Sequence, residues 1–81
     1  MAPQITRIDK GSPAHTYGIQ PGDRLVSIDG HIIRDVLDYK FYGYDSKVKL
    51  VLERDGQQME LVIEKAEGED LGLDFETYLM D

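Results

Sequence analysis

Two alternating runs joined by an Asp-Gly pair constrain this chain more than any other feature. From Ser46 to Arg54 the residues Val48, Leu50 and Leu52 recur at every second position, and from Gln57 to Lys65 Met59, Leu61 and Ile63 do the same. Period two gives each strand one apolar face, and a slip of one residue would turn that whole face to water. Asp55-Gly56 suits the two-residue turn that joins such strands, because both positions need positive φ. The residues therefore predict a β-hairpin with one buried face. A hairpin alone is marginal in water, so the rest of the chain must cover that face.

The rest is short. The chain has 81 residues and no cysteine, which allows one small domain without disulfides or thiolate metal sites, held by an apolar core. Gln4 to Asp9, with Ile5 and Ile8, reads as a first strand that stops at Lys10-Gly11. Ser12-Pro13 supplies an N-cap and a proline at the first helical position, and Gly18 can end a helix of about one and a half turns. Ile19 to Asp23 is a tight reversal around Pro21-Gly22. It leads into a strand from Arg24 to Asp29, and Asp29-Gly30 turns that strand into His31-Ile32-Ile33. From Arg34 to Gly43 a longer helix is expected, its core face drawn by Leu37, Phe41 and Tyr44 at i, i+4 and i+7, with Tyr39 and Tyr42 off that face. Beyond Lys65 come a polar connector, Ala66 to Asp70, and a short apolar run, Leu71-Gly72-Leu73-Asp74-Phe75, in which alternation puts Leu71, Leu73 and Phe75 on one side. Glu76 to Asp81 show no clear period. The expected fold is mainly β, a small, partly open barrel or sandwich of five to six strands with two short helices, forming one domain over residues 1–81 with its core at about 4–76.

Charge narrows the partners. Sixteen acidic residues against nine Lys and Arg give a formal net charge of −7, which argues against nucleic acid and anionic membrane. Residues 1–63 are nearly balanced, whereas residues 64–81 hold seven acidic residues and only Lys65. No apolar run reaches the roughly 20 residues of a membrane span, and the first residues lack the basic and apolar regions of a signal peptide, so a cytoplasmic location is expected.

Catalytic and metal chemistry find little support. His15 and His31 are isolated, while a zinc site needs three or four converging donors. Ser12 is accounted for by capping, Ser27 and Ser46 lie in or beside strands, and no Gly-x-Ser-x-Gly elbow occurs. Glu64, Glu67, Glu69 and Asp70 lack the register of a calcium loop and read as a solvated connector. No catalytic residue, metal ligand or cofactor is expected in this chain.

The run from Gly11 to Gly30, Gly-Ser-Pro-Ala, a short helix, Gly-Ile-Gln-Pro-Gly-Asp and a strand ending in Asp-Gly, resembles the signature of bacterial PDZ domains of the circularly permuted type. The order of the remaining elements is similar too, and the resemblance covers about residues 4 to 76. It implies a protein or peptide interaction module that adds an extended peptide as a strand in a groove between one strand and the longer helix. In permuted members the loop that receives a terminal carboxylate falls near the C-terminal end. That implies a ligand loop at Leu71, Gly72 and Leu73, a groove strand at Leu73, Asp74 and Phe75, and a helix wall at Val36, Tyr39 and Lys40. Glu67, Glu69 and Asp70 precede this loop within a Debye length of roughly 8–10 Å. They would repel an arriving carboxylate, so internal segments or basic partners suit the loop better.

Asp38-Tyr39-Lys40-Phe41 and the stretch from Glu64 to Glu76 also resemble the N-terminal region of a bacterial family of iron–sulfur oxidoreductases. These join a PDZ-like module to a radical-S-adenosylmethionine domain. That resemblance implies a domain cut from a larger protein whose catalytic part would carry a 4Fe–4S cluster and S-adenosylmethionine, and which this module would dock or position. A third reading is a protease-associated PDZ domain that senses unfolded chain ends.

Overall fold

A computed structural model describes residues 2–75. The elements are β1 (Ile5–Ile8), α1 (Pro13–Thr16), β2 (Arg24–Ile28), β3 (His31–Ile32), α2 (Val36–Tyr42), β4 (Lys47–Arg54), β5 (Gln57–Glu64) and β6 (Leu73–Phe75). β3, β2, β4 and β5 form one antiparallel sheet in that order, and β1 and β6 form a second antiparallel pair. This is the mainly β, two-helix architecture expected. Residues 76–81, where no period was read, lie outside the described residues, as does the last residue of the expected core.

The hairpin has the register its alternation demands. Val48 faces Ile63, Leu50 faces Leu61 and Leu52 faces Met59 across β4 and β5. Asp55 and Gly56 take φ of 53° and 78°, the two positive values of the turn. Val48, Leu50, Leu52 and Ile63 are fully buried, whereas Val62 on the other face is exposed. The two sheets are stitched together where the chain enters β1: Ile5 N–H donates to the Asp23 carbonyl at 2.8 Å, Gly22 N–H donates to that of Ile5 at 2.8 Å, and Gln4 bridges Arg24. The result is a partly open barrel closed over Ile5, Leu25, Ile28, Leu50 and Leu73.

α1 starts as its sequence requires. Ser12 accepts the His15 N–H at 3.3 Å, Pro13 opens the helix, and Ala14 is buried.

α2 corrects the expected face. Leu37, Phe41 and Tyr44 are 68%, 74% and 57% exposed, and the buried helical residue is Tyr39, flanked by the half-buried Val36 and Tyr42. Both stripes have helical spacing, so periodicity alone does not choose between them. Polar satisfaction does. With Tyr39 inward, its ring packs edge-on against Phe75 at 5.0 Å, and its hydroxyl donates to Asp70 and accepts the buried Leu73 N–H. Gly43 then lets the helix end approach Ile28 and Leu71. The helix is also shorter than expected: Asp35 is its N-cap, accepting the Asp38 N–H at 3.0 Å, and Gly43 its C-cap.

Candidate functional site

β6 pairs through one edge with β1, Ile5 opposite Phe75 and Ile8 opposite Leu73. Its other side opens onto α2 as a cleft of about 260 Å³, lined by Val36, Tyr39, Lys40, Asp70, Leu73, Asp74 and Phe75. Six of the eight residues singled out from the sequence meet there. Leu71 lies instead beside a neighbouring cavity of about 190 Å³ together with Gly43, Tyr44 and Gly68. Gly72 is buried beneath the strand's start, facing Ser12 and Asp9.

The floor of the cleft is apolar and its rim is charged. Leu73 and Phe75 are buried while Asp74 between them is exposed, as alternation requires. Asp74 lies 3.9 Å from Arg7 on the solvent side. Lys40 is the cation of the lining, set against Asp70 and Asp74.

The loop before β6 is fixed by hydrogen bonds on both sides. The Leu71 carbonyl accepts the Ala14 N–H at 2.9 Å, and the Gly72 carbonyl accepts the Asp9 N–H at 2.8 Å. Facing the cleft, Gly72 N–H donates to Asp70 Oδ1 at 2.9 Å. The Tyr39 hydroxyl donates to the same oxygen at 2.7 Å and accepts the Leu73 N–H at 3.3 Å. Burial works to raise the Asp70 carboxyl, but the Gly72 N–H, the Tyr39 hydroxyl and the charges of Lys40 and Lys65 outweigh it and hold Asp70 below the usual carboxylate range. Burial, reinforced by the bond to Asp70, pushes the Tyr39 phenol well above its ordinary value, so it remains a neutral donor.

Sequence reasoning missed this arrangement of Asp70. Its signal was present: an Asp two residues before Gly72 can accept that residue's N–H in an Asx turn. The polar connector before it is a turn of its own. Gly68 N–H donates to the Tyr44 carbonyl at 2.7 Å, and Ala66 N–H donates to Glu69 Oε1 at 3.0 Å. Among the described residues no group of three or more His, Asp or Glu side chains could hold a metal ion. Tyr42, which also lies off the expected core face, stacks on His31 at 4.2 Å and lines a different surface cavity.

The PDZ domain family matches residues 4–54, from the start of β1 to the end of β4. This chain belongs to the PDZ domain family. The match takes in Val36, Tyr39 and Lys40 and ends before Leu71–Phe75. Similar proteins include one named "Putative zinc metalloprotease" from Agrobacterium fabrum, 34% identical over 62 residues, and one of the same name from Brucella suis, 36% identical over 62 residues. Each alignment covers 73% of the PDZ chain and 16% of the relative. The chain thus spans about one sixth of the length of the curated relatives it matches. Their names point to metalloproteases, and the expected link to iron–sulfur, radical-S-adenosylmethionine proteins gains no support from them.

Proposed function

We propose that this PDZ domain is a non-catalytic docking module that takes an extended protein segment as an added strand on β6, against the wall of α2. One observation carries the reading. β6 is paired on one edge only among the described residues, and its open side faces a cleft of about 260 Å³ with an apolar floor. Backbone bonds to β6 would supply affinity, and the cleft formed by Val36, Tyr39, Leu73 and Phe75 would select alternate apolar side chains. Asp70 and Asp74 favour basic residues between them.

Titration with an alternating valine–lysine hexapeptide, followed by amide chemical shifts, tests this reading. Saturable shifts at Leu73–Phe75 and Val36–Lys40 are expected. Shifts confined to other surfaces, or none, would reject the groove.

The metalloprotease relatives favour a second level of the same reading, in which the domain serves a longer proteolytic protein by presenting or sensing chain segments. The coding sequence around residues 1–81 decides this. A His-Glu-x-x-His zinc motif would support the protease setting, and three closely spaced cysteines would restore the iron–sulfur one.

A further inference from the structure

The PDZ binding mode uses the backbone N–H groups of the loop to take a ligand's terminal carboxylate. Here those donors are spent within the chain. Gly72 N–H bonds to Asp70 Oδ1, and Leu73 N–H bonds to the Tyr39 hydroxyl, which itself donates to the same Asp70 oxygen. The loop has no slack to offer these groups in another direction, because the carbonyls of Leu71 and Gly72 are tied to Ala14 and Asp9 behind it. Asp70 Oδ2 has no hydrogen bond among the described residues, and Asp70 is exposed at the end of the cleft. A negative charge already stands where a chain-terminal carboxylate would arrive.

We propose that Asp70 acts as a built-in carboxylate in the PDZ loop, making the groove a receptor for internal chain segments and excluding free C-termini. The inference deepens the groove reading above and rests on it for the ligand, although the occupancy of the loop stands on its own distances. A ligand carboxylate would have to displace charge-assisted bonds or share their donors with a second carboxylate, and like charges at one donor set repel. An internal segment has no such group. Its lysine or arginine side chains meet the free oxygen of Asp70 favourably.

The test uses two probes on the 81-residue chain: sodium propionate, and the valine–lysine hexapeptide with either a free C-terminal carboxylate or an amide. Propionate is expected to leave the Gly72 and Leu73 amide shifts of the native protein unmoved and to shift them saturably in Asp70→Ala. The native protein should bind the amidated peptide at least as tightly as the free acid, and Asp70→Ala should reverse that preference by about tenfold. Asp70→Asn keeps an acceptor for Gly72, removes the charge and puts an amide NH2 donor in place of the second oxygen. It should move the ratio in the same direction by a smaller factor, and it serves as the readout if the alanine variant does not fold. Propionate capture by the native loop, a native preference for the free acid, or an unchanged ratio in the variants would overturn the proposal. If no hexapeptide moves Leu73–Phe75 in any of the proteins, the groove reading falls, while the propionate result still decides the role of Asp70.

Discussion

The Tyr39 hydroxyl lies 2.7 Å from Asp70 Oδ1 and accepts the N–H of Leu73 at 3.3 Å, so one residue of α2 links the connector to the first residue of β6. Tyr39→Phe keeps the ring against Phe75 and removes this link. The buried Leu73 N–H then loses its partner, at a cost of about 1–3 kcal/mol. Thermal unfolding should fall by roughly 4–8 °C for each kcal/mol lost in a domain of this size. Hydrogen exchange at Gly72 and Leu73 should accelerate more than in β4 and β5. Unchanged exchange at those two amides would show that the hydroxyl does not hold the loop.

Gly72 is required for a different reason. Its φ is +89°, and a Cβ there would collide with the Ser12 side chain that caps α1. Gly72→Ala therefore combines backbone strain with a steric clash and should cost more than about 2 kcal/mol. Gly56 has a similar φ of +78° but no neighbour within 4 Å of such a Cβ, so Gly56→Ala should cost only about 1 kcal/mol. Urea unfolding of the two variants checks the order.

Asp23 controls the acid response. It is 2% exposed and accepts Arg54 Nε and Nη2, both at 2.7 Å, and the Gln20 N–H at 3.0 Å. Burial works to raise its carboxyl, and the Arg54 bonds, the Gln20 N–H and the Arg54 charge bring it below its ordinary value of 3.8. A folded value below the unfolded one means that the unfolded chain binds more protons, so stability rises with pH through this window. The contribution is fully present above about pH 5 and disappears as pH falls below about 4 through the folded values of Asp23 and Asp70. Asp23→Asn should be less stable than the native protein at pH 7 by about 1–3 kcal/mol. The difference should shrink at pH 3. Denaturant midpoints at the two pH values measure it, and a gap that widens in acid would contradict the assignment.

The inverted helix face gives a fourth test. Leu37→Ser, on the 68%-exposed side, should change stability by less than about 0.5 kcal/mol. Tyr39→Ala, at a residue 3% exposed, should cost about 3–5 kcal/mol. The opposite order would restore the face that the hydrophobic spacing first indicated.

Most of the strand architecture was legible because period-two alternation and Asp-Gly turns act locally. Val48, Leu50 and Leu52 fall inward whatever the rest of the chain does, and Asp29-Gly30 and Asp55-Gly56 take the positive φ values their turns need. The face of α2 was not legible, because it depends on what Tyr39 meets across the cleft. Asp70, 31 positions away in sequence, and Leu73, 34 away, decide it. The same holds for the candidate site. The meeting of β6 with Val36, Tyr39 and Lys40 followed from a family resemblance, whereas the occupied loop is a tertiary fact that charge counting could only suggest. Acidity near Leu71 pointed away from carboxylate ligands, and in the proposal above that tendency belongs to Asp70, which accepts the Gly72 N–H and the Tyr39 hydroxyl.

Strand addition at β6 can be told from binding at any other edge by hydrogen exchange read edge by edge. The four-stranded sheet ends at β3 and β5, so the domain offers other edges where a segment could bind. With the amidated valine–lysine hexapeptide at saturation, the Phe75 amide, on the same open side as that of Leu73, should gain at least about tenfold protection while those of His31–Ile32 and Gln57–Glu64 stay unchanged. Protection at β3 or β5, with β6 exchanging as in the free protein, would contradict strand addition at β6.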